Sequence, residues 1–389
     1  MALRDAAIVG YAESKIVEKS DRDIWELGAE ILESLLVSTG FDKAEIDGLI
    51  LSASMTGAGN PFWSQTTADQ LGLELDFCQI VDIGGCSPTA ALARACAAID
   101  AGMATTVFCL YADMQASENN RRERGMQEWI QPQGYLGPPA GFGFLSRRYE
   151  HQFGLDYAML GKLAVAQRGH AVLNDLAVEK LRKPITVDDY LNSRMIADPV
   201  RLLDSVMVCD GGSGLLVTSR RNAEKRGLAK CVVPIGYGER TNYRVRENIV
   251  DVTETGHRVA GAKAFAQAGL KPSDIASFHP YDDFIIAIMI QLEMLGFCKH
   301  GQGCAFIREH DFTHTGDLPL NTGGGQISAG QCGLAGGGTN LVEAVRQLFG
   351  EAGRRQVKNT KNALVTGIGG IPYGRNWASS AVMILTPNA

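Results

Sequence analysis

The residue best placed to do chemistry is Cys86. It follows the apolar run Val81-Asp82-Ile83 and the pair Gly84-Gly85, and it precedes an alanine-rich stretch, Ser87 to Ala101, closed by Gly102. Ala, Leu and Arg favour a helix, Pro88 is tolerated in a first turn, Ser87 suits a cap, and Gly102 suits the position just past a helix end. Cys86 is therefore expected at a strand-to-helix turn, at the positive end of a helix dipole. There a thiolate is favoured and the cysteine pKa lowered, and the glycines let a substrate come close to the backbone. That is how a nucleophile is mounted; the competing reading is a buried structural cysteine at a tight turn. Cys298, His300 and Cys304 are near neighbours in sequence, but such a loop is more often accidental than a metal site.

The elements that must position Cys86 alternate. Residues 6–11 and 46–52 predict strands, with an amphipathic helix over 23–39 between them, where Ile24, Leu27, Ile31, Leu35 and Leu36 recur at helical spacing. A helix over 64–71, a strand over 77–83 and a buried strand over 106–111 complete an α/β pattern. Residues 112–200 change character: a charged run, Arg121–Arg124, then aromatics interleaved with Gly and Pro, read as an excursion from the core. Strands are expected over 202–208, 214–218 and 231–237. The helix–glycine–link–isoleucine segment Gly40 to Ile46 is matched by Gly269 to Ile275 at the same spacing, which suggests a duplicated unit. Glycine-rich turns at 323–338 and 367–374, each flanked by apolar segments, suit close backbone approach.

The chain has 389 residues, enough for two cores, and a net charge of −6, which gives nucleic-acid binding no electrostatic support. Nine cysteines without paired spacing read as reduced thiols and a cytoplasmic setting. No apolar run reaches 18 residues, so no membrane span is expected.

Several motifs, in order, resemble the thiolase superfamily over essentially the full length. They are Gly84-Gly85-Cys86-Ser87 with its helix; Gly169-His170-Ala171-Val172-Leu173-Asn174; Ile196-Ala197-Asp198-Pro199; Asp210-Gly211-Gly212-Ser213; Gly324-Gly325-Gln326-Ile327-Ser328-Ala329-Gly330-Gln331-Cys332; and Gly367-Ile368-Gly369-Gly370. The resemblance implies an α/β thiolase fold, with duplicated βαβαβαββ halves in five α-β-α-β-α layers. The N-terminal half would be 1–249, with an insertion at about 112–200, and the C-terminal half 250–389. It also implies a homodimer and acyl-CoA chemistry, with coenzyme A as a substrate: Cys86 takes an acyl group that CoA removes. The backbone N–H groups of Cys86 and Gly369 would form an oxyanion hole.

The departures bear on mechanism. Gln331 and Cys332 stand where the family has the His and Pro of Gly-His-Pro, and Tyr281-Asp282-Asp283-Phe284 replaces Asn-Glu-Ala-Phe or His-Asp-Cys-Phe. No cysteine marks the C-terminal loop. Gln331 donates a hydrogen bond but takes no proton at neutral pH. That leaves His279 and Tyr281, two apart on one face of a strand end, His279 as base or orienter and Tyr281 as oxyanion donor; the competing reading of His279 is a core histidine bonded to backbone. These departures resemble a subgroup whose members often pair with a small zinc-ribbon/OB-fold protein, which would complete the CoA site. Trp63, Trp129, Tyr135 and Phe142 suit a bulky or aromatic acyl group, for example 2-benzoylsuccinyl-CoA. The expected activity is thus an acyltransferase, a thiolase cleaving a β-keto acyl-CoA. The alternatives are a retro-aldolase (lyase) of a side-chain acyl-CoA using Tyr281, a C-acyltransferase, or a non-catalytic acyl- or lipid-binding protein.

Overall fold

A computed structural model describes residues 3–118, 132, 134–135, 137–228, 230–247, 251–370 and 377–388. The strands are β1 (Ala6–Glu13), β2 (Gly48–Ser52), β3 (Phe77–Val81), β4 (Thr106–Asp113), β5 (Met195–Ala197), β6 (Val200–Arg201), β7 (Gly211–Ser219), β8 (Val232–Thr241), β9 (Phe278–His279), β10 (Ala363–Ile368) and β11 (Ser379–Pro387). The helices are α1 (Ile24–Thr39), α2 (Trp63–Gln70), α3 (Ser87–Asp100), α4 (Pro138–Phe153), α5 (Tyr157–Val172), α6 (Val187–Leu191), α7 (Arg220–Lys225), α8 (His257–Ala268), α9 (Ile285–Met294), α10 (Gly303–Glu309), α11 (Gly325–Ala329) and α12 (Gly337–Phe349).

Nine strands form one sheet in the order β3-β2-β4-β7-β1-β8-β11-β10-β9. Read inward from its two ends, the order repeats. β2 runs parallel to β4, which is antiparallel to β7, which is antiparallel to β1; β9, β10, β11 and β8 repeat those relations. The two sets meet where Ile8 pairs with Val232. The counterpart of β3 is reduced to one parallel bridge, Phe278 to Leu320. By pairing, β8 belongs with the second set, ahead of the 249/250 boundary expected from the sequence; residues 248–250 lie outside those described.

The repeated link is structural as well. Gly40 and Gly269 both end their helices in the left-handed region, at φ 69° and 70°, which a residue without Cβ adopts freely. Each is followed by a 3₁₀ turn whose acid returns to the backbone: Glu45 accepts from Asp42 N–H at 2.9 Å, and Asp274 from Lys271 N–H at 2.8 Å.

Strand alternation sorts side chains into layers. Val107, Cys109 and Tyr111 join Val365, Met383 and Leu385 in a central core with α3 and α12. Phe108, Leu110 and Ala112 face α1 and α2. Leu364, Val382 and Ile384 face α8 and α9. Helices thus cover both outer faces and fill the middle, giving five layers. The segment between β4 and β7 does not stay with its own strands: Phe142, Leu145 and Tyr149 of α4 and Leu160 and Leu163 of α5 pack with α9. Leu202–Asp204, expected in a strand, is a 3₁₀ turn. Among the described residues, no helix is long and apolar enough to cross a membrane.

Candidate active site

The turn before α3 is closed by Ser87, whose hydroxyl donates to Gly84 O (2.6 Å) and accepts from Ile83 N–H (3.0 Å). Ser87 folds back on the turn rather than capping, and Cys86 itself holds the N-cap position, at φ −76°. The turn is pressed against the end of β10 without room for side chains. A Cβ on Gly367 would lie 2.6 Å from Cys86 Cα, and one on Gly84 2.8 Å from Gly369 O. Behind this contact, His257 Nε2 lies 3.0 Å from Gly367 O and its ring stands edge-on to Trp377 at 5.2 Å.

Cys86 is fully buried, and its sulfur accepts the backbone N–H of Ala381 in β11. Burial, reinforced by the nearby Glu239 carboxylate, pushes the thiol well above its ordinary value. The expected low-pKa thiolate is thus corrected. Desolvation disfavours the anion more than one helix end favours it, and no cation among the described residues offsets it.

Across the turn stands Tyr281. Pro280 ends β9, and its carbonyl is held by Asn321 Nδ2 (3.0 Å) and Asn340 Nδ2 (2.6 Å). Tyr281 N–H donates to Thr366 Oγ1 (3.0 Å), and its carbonyl accepts from Gln291 Nε2 (2.8 Å). Asp282 accepts from Gln326 N–H (3.0 Å), Ile327 N–H (3.2 Å), Asn340 Nδ2 (2.9 Å) and Gln167 Nε2 (2.5 Å). Those bonds lock the turn and leave Tyr281 pre-positioned. Its ring lies on Gly85, where a Cβ would come within 2.3 Å of it. Its hydroxyl is hydrogen-bonded to the Gln331 side chain, whose Nε2 donates to Gln326 Oε1 at 3.2 Å. Burial first, then the fields of Asp283, Cys86 and Asp282, raise the phenol well above its ordinary value. Tyr281 is therefore a neutral hydroxyl, suited to donating a hydrogen bond to an oxygen that gains charge.

Cys86, Tyr281 and Gln331 are brought together, as the sequence suggested. Gly369 packs on the Cys86 turn, but its N–H is spent on Ser379 O (2.9 Å) and that of Cys86 on Ile83 O (3.3 Å), so the expected two-donor hole does not form. His279 lies elsewhere. Its Nε2 is 3.2 Å from Ser277 Oγ, its electrostatic neighbours are Glu343 and His170, and burial holds it down to about 4. Pro280 interrupts the strand between His279 and Tyr281, so period-two alternation does not carry across. Cys332 is buried beside Cys209 and Gly211. Trp63 packs against Trp25 in the α1–α2 core, with ring centroids 5.8 Å apart and the planes tilted by 37°. Phe142 stacks on Phe284 at 4.2 Å, directly behind the Tyr281 turn, and Tyr135 is buried. Trp129 and Arg121–Arg124 lie outside the described residues. Sequence reasoning missed His257, Gln326 and Asp283; only the acid doublet after Tyr281 carried any signal.

Residues 238–386 match the family model described as thiolase C-terminal domain-like. The chain is 30% identical over 387 residues to a steroid side-chain-cleaving aldolase of Thermomonospora curvata, covering 94% of this chain and 96% of that one. It is 31% identical to the 17-hydroxy-3-oxo-4-pregnene-20-carboxyl-CoA lyase of Mycobacterium tuberculosis, covering 94% and 97%. A solved structure of the Ltp2-ChsH2(DUF35) aldolase superposes with a TM-score of 0.85 at 29% identity, over 98% of both chains. By contrast, the benzoylsuccinyl-CoA thiolase subunit BbsB of Thauera aromatica matches at 27% over only 59% of each chain. The expected acyltransferase is overturned by the first three proteins, an aldolase, a lyase and an aldolase assembly.

Proposed function

From the premise that this chain belongs to the thiolase superfamily, we propose that it is a retro-aldol lyase of a β-hydroxyacyl-CoA. It cleaves the bond between the α- and β-carbons, releasing a shorter acyl-CoA and a ketone or aldehyde. The observation that carries this reading is the division of roles at the glycine-lined junction. The Cys86 thiol is turned into the sheet and held protonated, while the Tyr281 hydroxyl stands on Gly85 at the centre of a locked turn. An acyl-enzyme needs a thiolate. A retro-aldol step needs a donor at the thioester oxygen, which becomes an enolate oxygen as the bond breaks, and Tyr281 with Gln331 beside it fills that role.

The substrate class follows the relatives. A 17-hydroxy-20-carboxyl-CoA carries its hydroxyl β to the thioester, on a bulky ring system. We take the substrate here to be a side-chain acyl-CoA of that kind. The DUF35 component of the similar aldolase supports a small partner subunit. A homodimer is supported by β3, an edge strand whose Cys78, Gln79 and Ile80 are exposed and which no Pro protects. The test is a pair of variants, assayed as the tagged chain purified from its host so that any partner is retained. Tyr281→Phe lowers cleavage about 10²-fold or more, as loss of an oxyanion donor does, and Cys86→Ala keeps it within a few-fold. The reverse pattern sinks the reading.

A further inference from the structure

One group beside Tyr281 has no structural task. Asp283 is part-buried, and its Oδ1 is buried with no hydrogen-bond partner; its carboxylate accepts only from the backbone N–H groups of Asp283 and Phe284. Its neighbour Asp282 spends both oxygens on four donors, whereas Asp283 caps nothing and pairs with no cation among the described residues. An unpartnered carboxylate oxygen out of water costs free energy, so its retention calls for a use. The residue is also well fixed: Val206 N–H donates to its carbonyl at 3.2 Å, Ser205 bridges Phe284, and the Phe284 ring is stacked on Phe142. It is the foremost charged neighbour of the Tyr281 phenol.

Resting on the lyase reading, we propose that Asp283 is the proton carrier of the cleavage, taking the β-hydroxyl proton and returning it to the α-carbon. The step balances without any outside reagent. The carboxylate removes the hydroxyl proton, the O–H pair becomes the new carbonyl π bond, and the α–β bond breaks. Its electron pair passes into the enolate held by Tyr281. The protonated Asp283 then gives the same proton to the α-carbon, leaving the shorter acyl-CoA and the original carboxylate. The two atoms it serves, the hydroxyl oxygen and the α-carbon, are both bonded to the β-carbon, so one carboxylate reaches both. Burial, with Asp282 adding its charge, pushes Asp283 up to about 8, close to the working range a general base needs. The other side chains tied to it are its neighbour Asp282 and the neutral hydroxyl of Tyr281.

The same carrier run backwards exchanges the α-proton of a short acyl-CoA. Propionyl-CoA in D₂O, followed by mass spectrometry, should gain deuterium with the wild type, at a rate rising with pH through about 8. Asp283→Asn should lose both exchange and cleavage by about 10²-fold or more, with its thermal midpoint kept, and Asp283→Glu should restore part of each. If folded Asp283→Asn keeps exchange within threefold, the proposal is overturned while the lyase reading stands. If the wild type shows Asp283-dependent exchange but cleaves no β-hydroxyacyl-CoA, the carrier stands and the lyase reading fails.

Discussion

Gly85→Ala is the most demanding test of Tyr281, because it never touches Tyr281 chemically. A methyl on Gly85 would lie 2.3 Å from ring atoms of Tyr281 and 2.4 Å from its hydroxyl oxygen, where ordinary contact begins at 3.4 Å. Something must give by about 1 Å. The ring has little freedom: the turn is tied to Thr366 and Gln291, and even a Cβ on Gly337 would already touch the ring, at 3.4 Å. Gly85 is not among the positive-φ glycines, so alanine brings no backbone strain of its own. Overpacking of this kind costs about 1–3 kcal/mol of stability, which a chain with cores this large survives. Displacing a reacting group by about 1 Å costs on the order of 10²-fold in rate. The assay is release of shorter acyl-CoA from a β-hydroxyacyl-CoA, with far-UV circular dichroism and a urea titration alongside. Gly102→Ala is the control: at φ 69° with nothing within 4 Å of the added methyl, it should lose stability and keep its rate. If Gly85→Ala folds and turns over within threefold of wild type, Tyr281 does not act at the reacting atoms.

Glu343 is buried among Arg346, Arg355, Thr322 and Gln347; burial alone would raise its carboxyl, but the Arg346 and Arg355 guanidinium groups outweigh that and hold it well below the ordinary range. Glu343→Gln leaves the Arg355 guanidinium buried without a carboxylate, while Arg346 keeps Glu13 (2.9 Å), and should cost about 3–5 kcal/mol in a urea titration. His170, His257 and His279 are held neutral, pushed down by burial to about 4, about 3 and about 4. Their unfolded values lie near 6.5, so the unfolded chain binds more protons below that pH. Their contribution is present above about 6.5 and is lost as pH falls toward 4; Asp204 and Asp282, raised to about 6, and Asp283, raised to about 8, oppose part of that loss. His257→Gln should be less stable at pH 7.5 yet lose less between 6.5 and 4.5, read from urea midpoints. Ile80→Lys on the β3 edge should shift the chain toward monomer by light scattering, with an unchanged dimer arguing against that edge as the interface.

Much of the scaffold was legible because it rests on local signals. Periodicity marked α1, the paired Gly40 and Gly269 links marked the repeat, and glycines at 84, 85, 367 and 369 marked where two backbones touch. The motif order brought Cys86, Tyr281 and Gln331 together. What the sequence withheld depends on three-dimensional surroundings. The Cys86 turn announces a helix N-terminus but not the sheet that desolvates the thiol. His279 and Tyr281 look like neighbours on one face until Pro280 breaks the strand. Asp283 looks like one more surface acid, because nothing local says that its oxygen is shut away without a donor. His257 is invisible for the same reason: its partner, Gly367, is 110 residues away.

The central claim is that bond cleavage needs Tyr281 and no acyl-enzyme, and one measurement reaches it directly. A β-hydroxyacyl-CoA bearing a bulky β-substituent is incubated with the purified assembly after all free coenzyme A has been removed, and every product is quantified by mass spectrometry. A lyase releases one shorter acyl-CoA and one ketone or aldehyde in equal amounts, at a rate that added coenzyme A does not raise. Cleavage that waits for free coenzyme A and delivers two acyl-CoA products would contradict the account.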